Sequence, residues 1–174
     1  YIELLKLKLT LAVVFSGVFG YCLATNHIDW WKIAILVIAS ISITGAANII
    51  NQIIEKDSDK VMKRTAVRPL PTGRLTVREA SLFAFTLFSV ACCLYVQFFN
   101  IRATALAILS LLLYGFIYTP LKRKGQIAVF VGALPGAFPP MIGWVAATNH
   151  FGWAPGILFA IQFFWQFPHF WAIG

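Results

Sequence analysis

Charge is scarce in this chain. Of its 174 residues only 11% are Asp, Glu, Lys or Arg, and only six of them are acidic, against about 25% charged in an ordinary soluble domain. So few charges exclude a water-exposed globule. Cysteine is rare too: Cys22, Cys92 and Cys93 all fall inside apolar runs, where they form neither a disulfide framework nor a zinc spacing and read as small buried residues. The chain has no soluble nucleic-acid-reading module, so nucleic acid is not an expected partner despite a net charge of +8. No cleavable leader is expected either, because the first apolar run follows Tyr1 almost at once.

What is there is apolar: 60% of residues, with a mean hydropathy of +0.80. Six apolar runs can be laid out, near 9–26, 31–54, 79–99, 101–120, 126–148 and 153–174, each close to the ~20 residues of a spanning helix. Lipid leaves only helices or closed barrels to pair the backbone, and the runs are too long and uniform for barrel strands. The expected fold is therefore all-α, a polytopic transmembrane bundle forming one domain over 1–174. Laid against this topology, twelve of the fourteen Lys and Arg fall on one side, leaving Lys32 and Arg102 on the other. The positive-inside rule then makes the N-terminus and the 55–78 and 121–125 loops cytoplasmic, or the organellar equivalent. The start at Tyr1 without Met and the stop at Gly174 inside an apolar run suggest a chain cut at both ends, mainly the second.

Chemistry concentrates where the second run leaves the membrane. Asn51, Glu55 and Asp59 stand four apart, with Asp57 between, so a helix turns an amide and two carboxylates the same way, a seat for a hard divalent cation. Lys60, Lys63, Arg64, Arg68, Arg74 and Arg78 follow, donors suited to a phosphorylated ligand. The bland alternative is a solvated juxtamembrane patch. Gly45, Ala46 and Ala47 let a neighbouring backbone approach, drawing Asn48 and Asn51 inward, while Pro69, Pro71 and Gly73 stiffen the loop. Thr76 and Glu79 fit a capping box opening the third helix.

Further along, Tyr118 and Lys122 are again four apart on the same membrane side, suited to an anion, or else a belt tyrosine followed by topogenic Lys122, Arg123 and Lys124. The fifth run holds Pro135, Pro139 and Pro140 among glycines, which predicts a broken or kinked helix lining a cavity. The sixth carries Gln162, Gln166 and His169, polar groups expected to face the bundle interior. His169 suits a metal or propionate contact or a proton shuttle, or is satisfied by a neighbouring helix. Lys6 or Lys8 either anchors the N-terminus or turns toward the anion.

Taken together, Asn51-x3-Glu55-x3-Asp59, Lys63-Arg64-Thr65 and Arg68-Pro69-Leu70-Pro71-Thr72-Gly73-Arg74 resemble the first acidic motif of the UbiA superfamily of intramembrane prenyltransferases. Tyr118-Thr119-Pro120-Leu121-Lys122-Arg123, the Pro/Gly-rich fifth run and Trp165-Gln166-Phe167-Pro168-His169-Phe170 resemble its haem O synthase branch, the protohaem IX farnesyltransferases. The resemblance implies about nine spans, of which six are present, and a second acidic motif beyond them. It also implies a Mg2+-dependent transferase moving the farnesyl group of farnesyl diphosphate to a vinyl group of protohaem IX (haem B). Asn51, Glu55 and Asp59 would be its catalytic metal ligands, Glu55 standing where the family commonly has Asp. Lys63, Arg64, Arg68, Tyr118 and Lys122 would hold the diphosphate, and His169 and Trp165 would meet the haem. A bacterial inner membrane, and haem A synthase or cytochrome oxidase assembly factors as partners, are implied likewise. Two rival readings share some of these features: a UbiA-type enzyme acting on an aromatic or quinone precursor, and a polytopic transporter with a midplane site in the broken helix.

Overall fold

The backbone obeys the demand that lipid makes, pairing within each segment. The computed structural model describes residues 1–122 and 127–173, apart from the side chains of Phe170, Trp171 and Ile173; the charges at Arg123 and Lys124 thus lie outside the described residues. After a 3-10 turn at Ile2–Leu5 come six helices: α1 Leu7–Leu23, α2 Trp30–Val61, α3 Val77–Phe98, α4 Ile101–Leu121, α5 Ile127–Thr148 and α6 Trp153–Ile173. Among the described residues no strand occurs. Among the described residues four helices, α2 to α5, are both long and apolar enough to cross a membrane, whereas α1 is apolar but short. The sixth expected span, α6, is diluted by its glutamines, Pro168 and His169.

Side chains set the helix ends. Asp29 accepts from the amides of Trp31 and Lys32, and Trp30 and Trp31 beside it are exposed, as expected of an interfacial belt. Thr76 and Glu79 form the expected capping box of α3. Asn100 caps α4 through the Ala103 amide and also donates to the Val145 carbonyl at 2.8 Å, so one side chain closes two helix ends. Arg102 donates to the Asn149 carbonyl at this same end.

Small residues decide how closely the helices approach. α1 crosses α5 where Gly17 and Gly20 meet Pro139, Pro140 and Gly143; a Cβ on Gly143 would overlap the Gly17 carbonyl, and one on Gly20 the Pro140 backbone. Gly45, Ala46 and Ala47 are buried, and Asn48 and Asn51 go inside with them, as the sequence led us to expect.

Of the break or kink expected in α5, the break is excluded: α5 runs as one helix through Pro135, Pro139 and Pro140, and it lines the cavity with Pro135 and Pro139. Proline removes an amide and frees the carbonyl four residues before it, and the carbonyl freed by Pro139, that of Pro135, accepts from the Ser110 hydroxyl at 3.3 Å. A neighbouring helix thus supplies the missing donor. The cysteines, expected buried, are free thiols, half-buried at Cys22 and Cys92 and exposed at Cys93, because α3 turns one side outward with Leu82, Phe85 and Val90.

Candidate active site at the mouth of a bundle cavity

The site begins with α2, which runs 32 residues and so carries its last turns beyond the core of the bundle. Asn51, Glu55 and Asp59 lie on one of its faces, rising about 6 Å at each step. Each meets a donor from a different part of the chain. The Lys6 ammonium donates to Asn51 Oδ1 at 2.8 Å, Lys122 to Glu55 Oε1 at 3.1 Å, and Arg68 to Asp59 Oδ2 at 2.7 Å. Asp57 points away, its side chain 93% exposed and paired only loosely with Lys60.

Lys6, rather than Lys8, is the N-terminal lysine that reaches the row. It sits between the Ile2–Leu5 turn and α1 with φ 49, a left-handed position uncommon for a side-chain-bearing residue. What holds it there is a polar network inside the bundle. Gln52 donates to the Leu4 carbonyl at 2.7 Å, Asn48 donates to the Leu5 carbonyl and to Thr10, and Asn51 donates to Thr119 Oγ1. Burial, then repulsion from Arg68 and Lys122, push the Lys6 ammonium down to about 8, while Glu55 and Asp59 pull the other way. Three cations around two carboxylates form a cluster short of negative charge.

The loop after α2 is folded back onto the mouth, as its prolines suggested. Leu70 is buried with Leu4, Ile49, Ala80 and Ala84, worth about 1.5–3 kcal/mol for the leucine alone. Thr65 Oγ1 donates to the Asp59 carbonyl, closing the end of α2. Arg74 forks onto both oxygens of Glu3 at 3.1 and 2.9 Å, tying the loop to the N-terminal turn, and holds the Glu3 carboxyl below the usual range. Lys63 and Arg64 are exposed and make no ion pair among the described residues.

Opposite, α4 widens into a π-helical turn over Leu113–Tyr118, a local feature common at functional sites. The Tyr114 carbonyl accepts both the amide and the hydroxyl of Thr119, and Lys122 lies 5.2 Å from the centroid of the Tyr118 ring, a cation–π contact. The Tyr118 ring lies against Gly132 of α5, where a Cβ would come within 2.5 Å of it. From Tyr118 and Lys122 a cavity of about 460 Å3 leads into the bundle, and Trp165 and His169 of α6 line it too. The two groups singled out in the sixth helix therefore share one chamber with Tyr118 and Lys122.

As metal donors, Asn51, Glu55 and Asp59 offer hard oxygens only, the set that Mg2+ prefers. Among the described residues no third His, Cys, Asp or Glu joins the two carboxylates. The donor set fits an ion that keeps waters and takes one or two carboxylates together with phosphate oxygens.

Thr119 and Gln52 are parts of the site that the sequence did not reveal, and for Asn48 it revealed the inward turn but not the partners. Their spacing carries no metal or phosphate signature, and only the packing of α4 and the N-terminal turn on α2 gives them partners.

Residues 13–174 match the model of the UbiA prenyltransferase family. The chain belongs to that family. UbiA membership accounts for the apolar helices, and the chain is that of an integral membrane protein. Among relatives, the protoheme IX farnesyltransferase of Cytophaga hutchinsonii is 53% identical over 174 residues, covering 99% of this chain and 61% of its own. That of Christiangramia forsetii is 48% identical over 172 residues, covering 99% and 57%. The chain thus spans about three-fifths of the length of these UbiA relatives. Among solved structures, a UbiA homolog from Archaeoglobus fulgidus bound to DMAPP and Mg2+ superposes with a TM-score of 0.77 at 15% identity, over 97% of this chain and 62% of that one, and so shares the fold.

Proposed function

We propose that this chain carries the diphosphate-binding mouth and isoprenoid chamber of a Mg2+-dependent membrane enzyme that transfers the farnesyl group of farnesyl diphosphate to a vinyl group of protohaem IX. The observation that carries the reading is the ladder of three oxygen side chains, each matched by a cation from a separate segment, at the opening of a cavity that also reaches Trp165 and His169. The names of the two relatives, at 53% and 48% identity, support haem as the acceptor. The ligands of the Archaeoglobus fulgidus homolog support a prenyl diphosphate with Mg2+.

In this reading Asn51, Glu55 and Asp59 hold the metal, which supplies charge neutralisation on the diphosphate. The chain's own part is an exchange of partners. Lys6, Arg68 and Lys122 turn from the α2 row to the phosphate oxygens, Lys63 and Arg64 add charge from the exposed side, and the Tyr118 hydroxyl donates to a phosphate oxygen. Stabilising the departing diphosphate lets the allylic C–O bond ionise. The apolar chamber then keeps water from the farnesyl cation until the vinyl carbon attacks, and Trp165 and His169 orient the haem. Water adds to the resulting haem-side cation and loses a proton, leaving a hydroxyethylfarnesyl group. The basic end carrying Lys6, the 62–76 loop and Lys122 faces the cytoplasm, or the matrix of an organelle.

The test is turnover of farnesyl diphosphate and protohaem by the full-length protein in membranes, with product identified by mass. The expected product is protohaem with one farnesyl group and one hydroxyl added, formed with Mg2+ and not with excess chelator. Farnesyl transfer to an aromatic or quinone precursor, with none to haem, would overturn the acceptor assignment.

A further inference from the structure

The cavity has a direction that can be read helix by helix. At the basic end it is lined by Leu9 of α1, Asn48 of α2, Tyr118 of α4 and Gly132 of α5. At the opposite end the lining comes from Gly17 of α1, Ser40 of α2, Ala107 of α4 and Ile142 of α5, with Tyr95 the one contributor from α3. α1, α2, α4 and α5 therefore each contribute a near and a far residue in the order the chain direction demands, and the chamber lies lengthwise in the bundle.

At its far end stands an aromatic ring, Tyr95, backed by two more. Tyr95 is 2% exposed and its hydroxyl is 3.0 Å from Ser40 Oγ. Behind it the Phe99 ring lies 5.9 Å away, centroid to centroid, and Tyr21 packs edge-on against Phe99 at 6.1 Å. A buried phenol is held in place when its hydroxyl finds a partner, so the ring cannot swing aside as an aliphatic side chain would. Ser40 stands eleven residues before Asn51 on α2, about 16 Å along the helix at ~1.5 Å per residue. The twelve-carbon main chain of a farnesyl group spans about 14 Å extended, taking ~1.25 Å of advance per ~1.5 Å bond. One more isoprene unit would need about 5 Å further, which Tyr95 occupies.

We propose that the Tyr95 ring, fixed by Ser40 and backed by Phe99 and Tyr21, is the end stop that sets isoprenoid length. This rests on the prenyltransferase reading above and adds the residues that choose among prenyl diphosphates. Thr44, which lines the same wall one turn nearer the mouth than Ser40, is the position at which the chamber can be shortened.

The test offers the full-length protein in liposomes geranyl, farnesyl and geranylgeranyl diphosphates in competition, with protohaem IX as acceptor, and measures product ratios. Tyr95→Ala is expected to raise the geranylgeranyl-to-farnesyl ratio about tenfold or more, the scale at which a hydrophobic pocket discriminates chain length. Thr44→Leu should move the farnesyl-to-geranyl ratio the opposite way by a similar factor, and Tyr95→Phe, which keeps the ring but loses its tether to Ser40, should move the geranylgeranyl-to-farnesyl ratio in the Tyr95→Ala direction by about threefold. If Tyr95→Ala does not fold, Thr44→Leu and Tyr95→Phe still decide. A parent that transfers farnesyl while Tyr95→Ala and Thr44→Leu leave both ratios unchanged overturns the end stop. A parent that turns over none of the three donors overturns the prenyltransferase reading itself.

Discussion

Replacing Asp59 by Asn should separate metal-dependent chemistry from diphosphate binding, in opposite directions. The Asp59 carboxylate is 5% exposed and holds Arg68, itself 23% exposed, at 2.7 Å. A hydrogen bond with charge on one side contributes about 1.5–3 kcal/mol, and a neutral acceptor keeps roughly half of that. Asp59→Asn therefore loosens Arg68 by about 0.8–1.5 kcal/mol, which Arg68 no longer has to give up when it turns to a phosphate. In chelator, the Kd for a non-ionising farnesyl diphosphate analogue should improve by about four- to twelvefold. With Mg2+, turnover should fall by about 10²-fold or more, since several kcal/mol of charge stabilisation depend on the oxygen ligands. Calorimetric titration in chelator and turnover in Mg2+ measure the two effects on one preparation. Asp57→Asn, at the exposed neighbour, should change neither. Turnover within twofold of the parent, together with weaker metal-free binding, would refute both the ligand role and the partner exchange.

Further predictions concern positions beyond that pair. Arg68→Ala should raise KM for farnesyl diphosphate about tenfold or more with a smaller change in kcat, as initial-rate kinetics would reveal, because it removes a charged donor to the substrate. Gly143→Ala should cost about 1–3 kcal/mol or more, read as a lower Tm in detergent, because the new Cβ meets the Gly17 carbonyl and α1 must move off α5. Asn100→Ala should destabilise by about 1–2 kcal/mol, measured by thermal unfolding, since both the α4 cap and a donor to the end of α5 are lost. His169→Ala should weaken or shift the spectral change on haem titration while leaving binding of the farnesyl analogue within about twofold.

The bundle was legible because lipid reduces folding to a question of run length, and the acidic row because spacing by four survives in any helix. The capping box of α3 and the inward turn of Asn48 and Asn51 could be read for similar reasons, each depending on residues within a few positions. Lys6 against Lys8 could not be settled that way, since the choice depends on Gln52 and Asn48 catching carbonyls of Leu4 and Leu5 more than forty residues away. Between a break and a kink in α5 the sequence could not choose, because proline's local penalty was visible but its remedy, the Ser110 hydroxyl on another helix, was not. Nor does composition reveal that Tyr95 meets Ser40, fifty-five positions earlier, in the chamber wall.

The wide turn at Leu113–Tyr118 acts on everything downstream of it as a phase shifter. Rewinding it to a regular spiral with every residue kept would rotate the following segment by about 100°. Thr119 would swing off Asn51 and Lys122 off Glu55, although neither residue had been altered. Removing one residue together with the wide turn would instead leave both side chains in phase, so a homologue one residue shorter here keeps the same face on a regular helix.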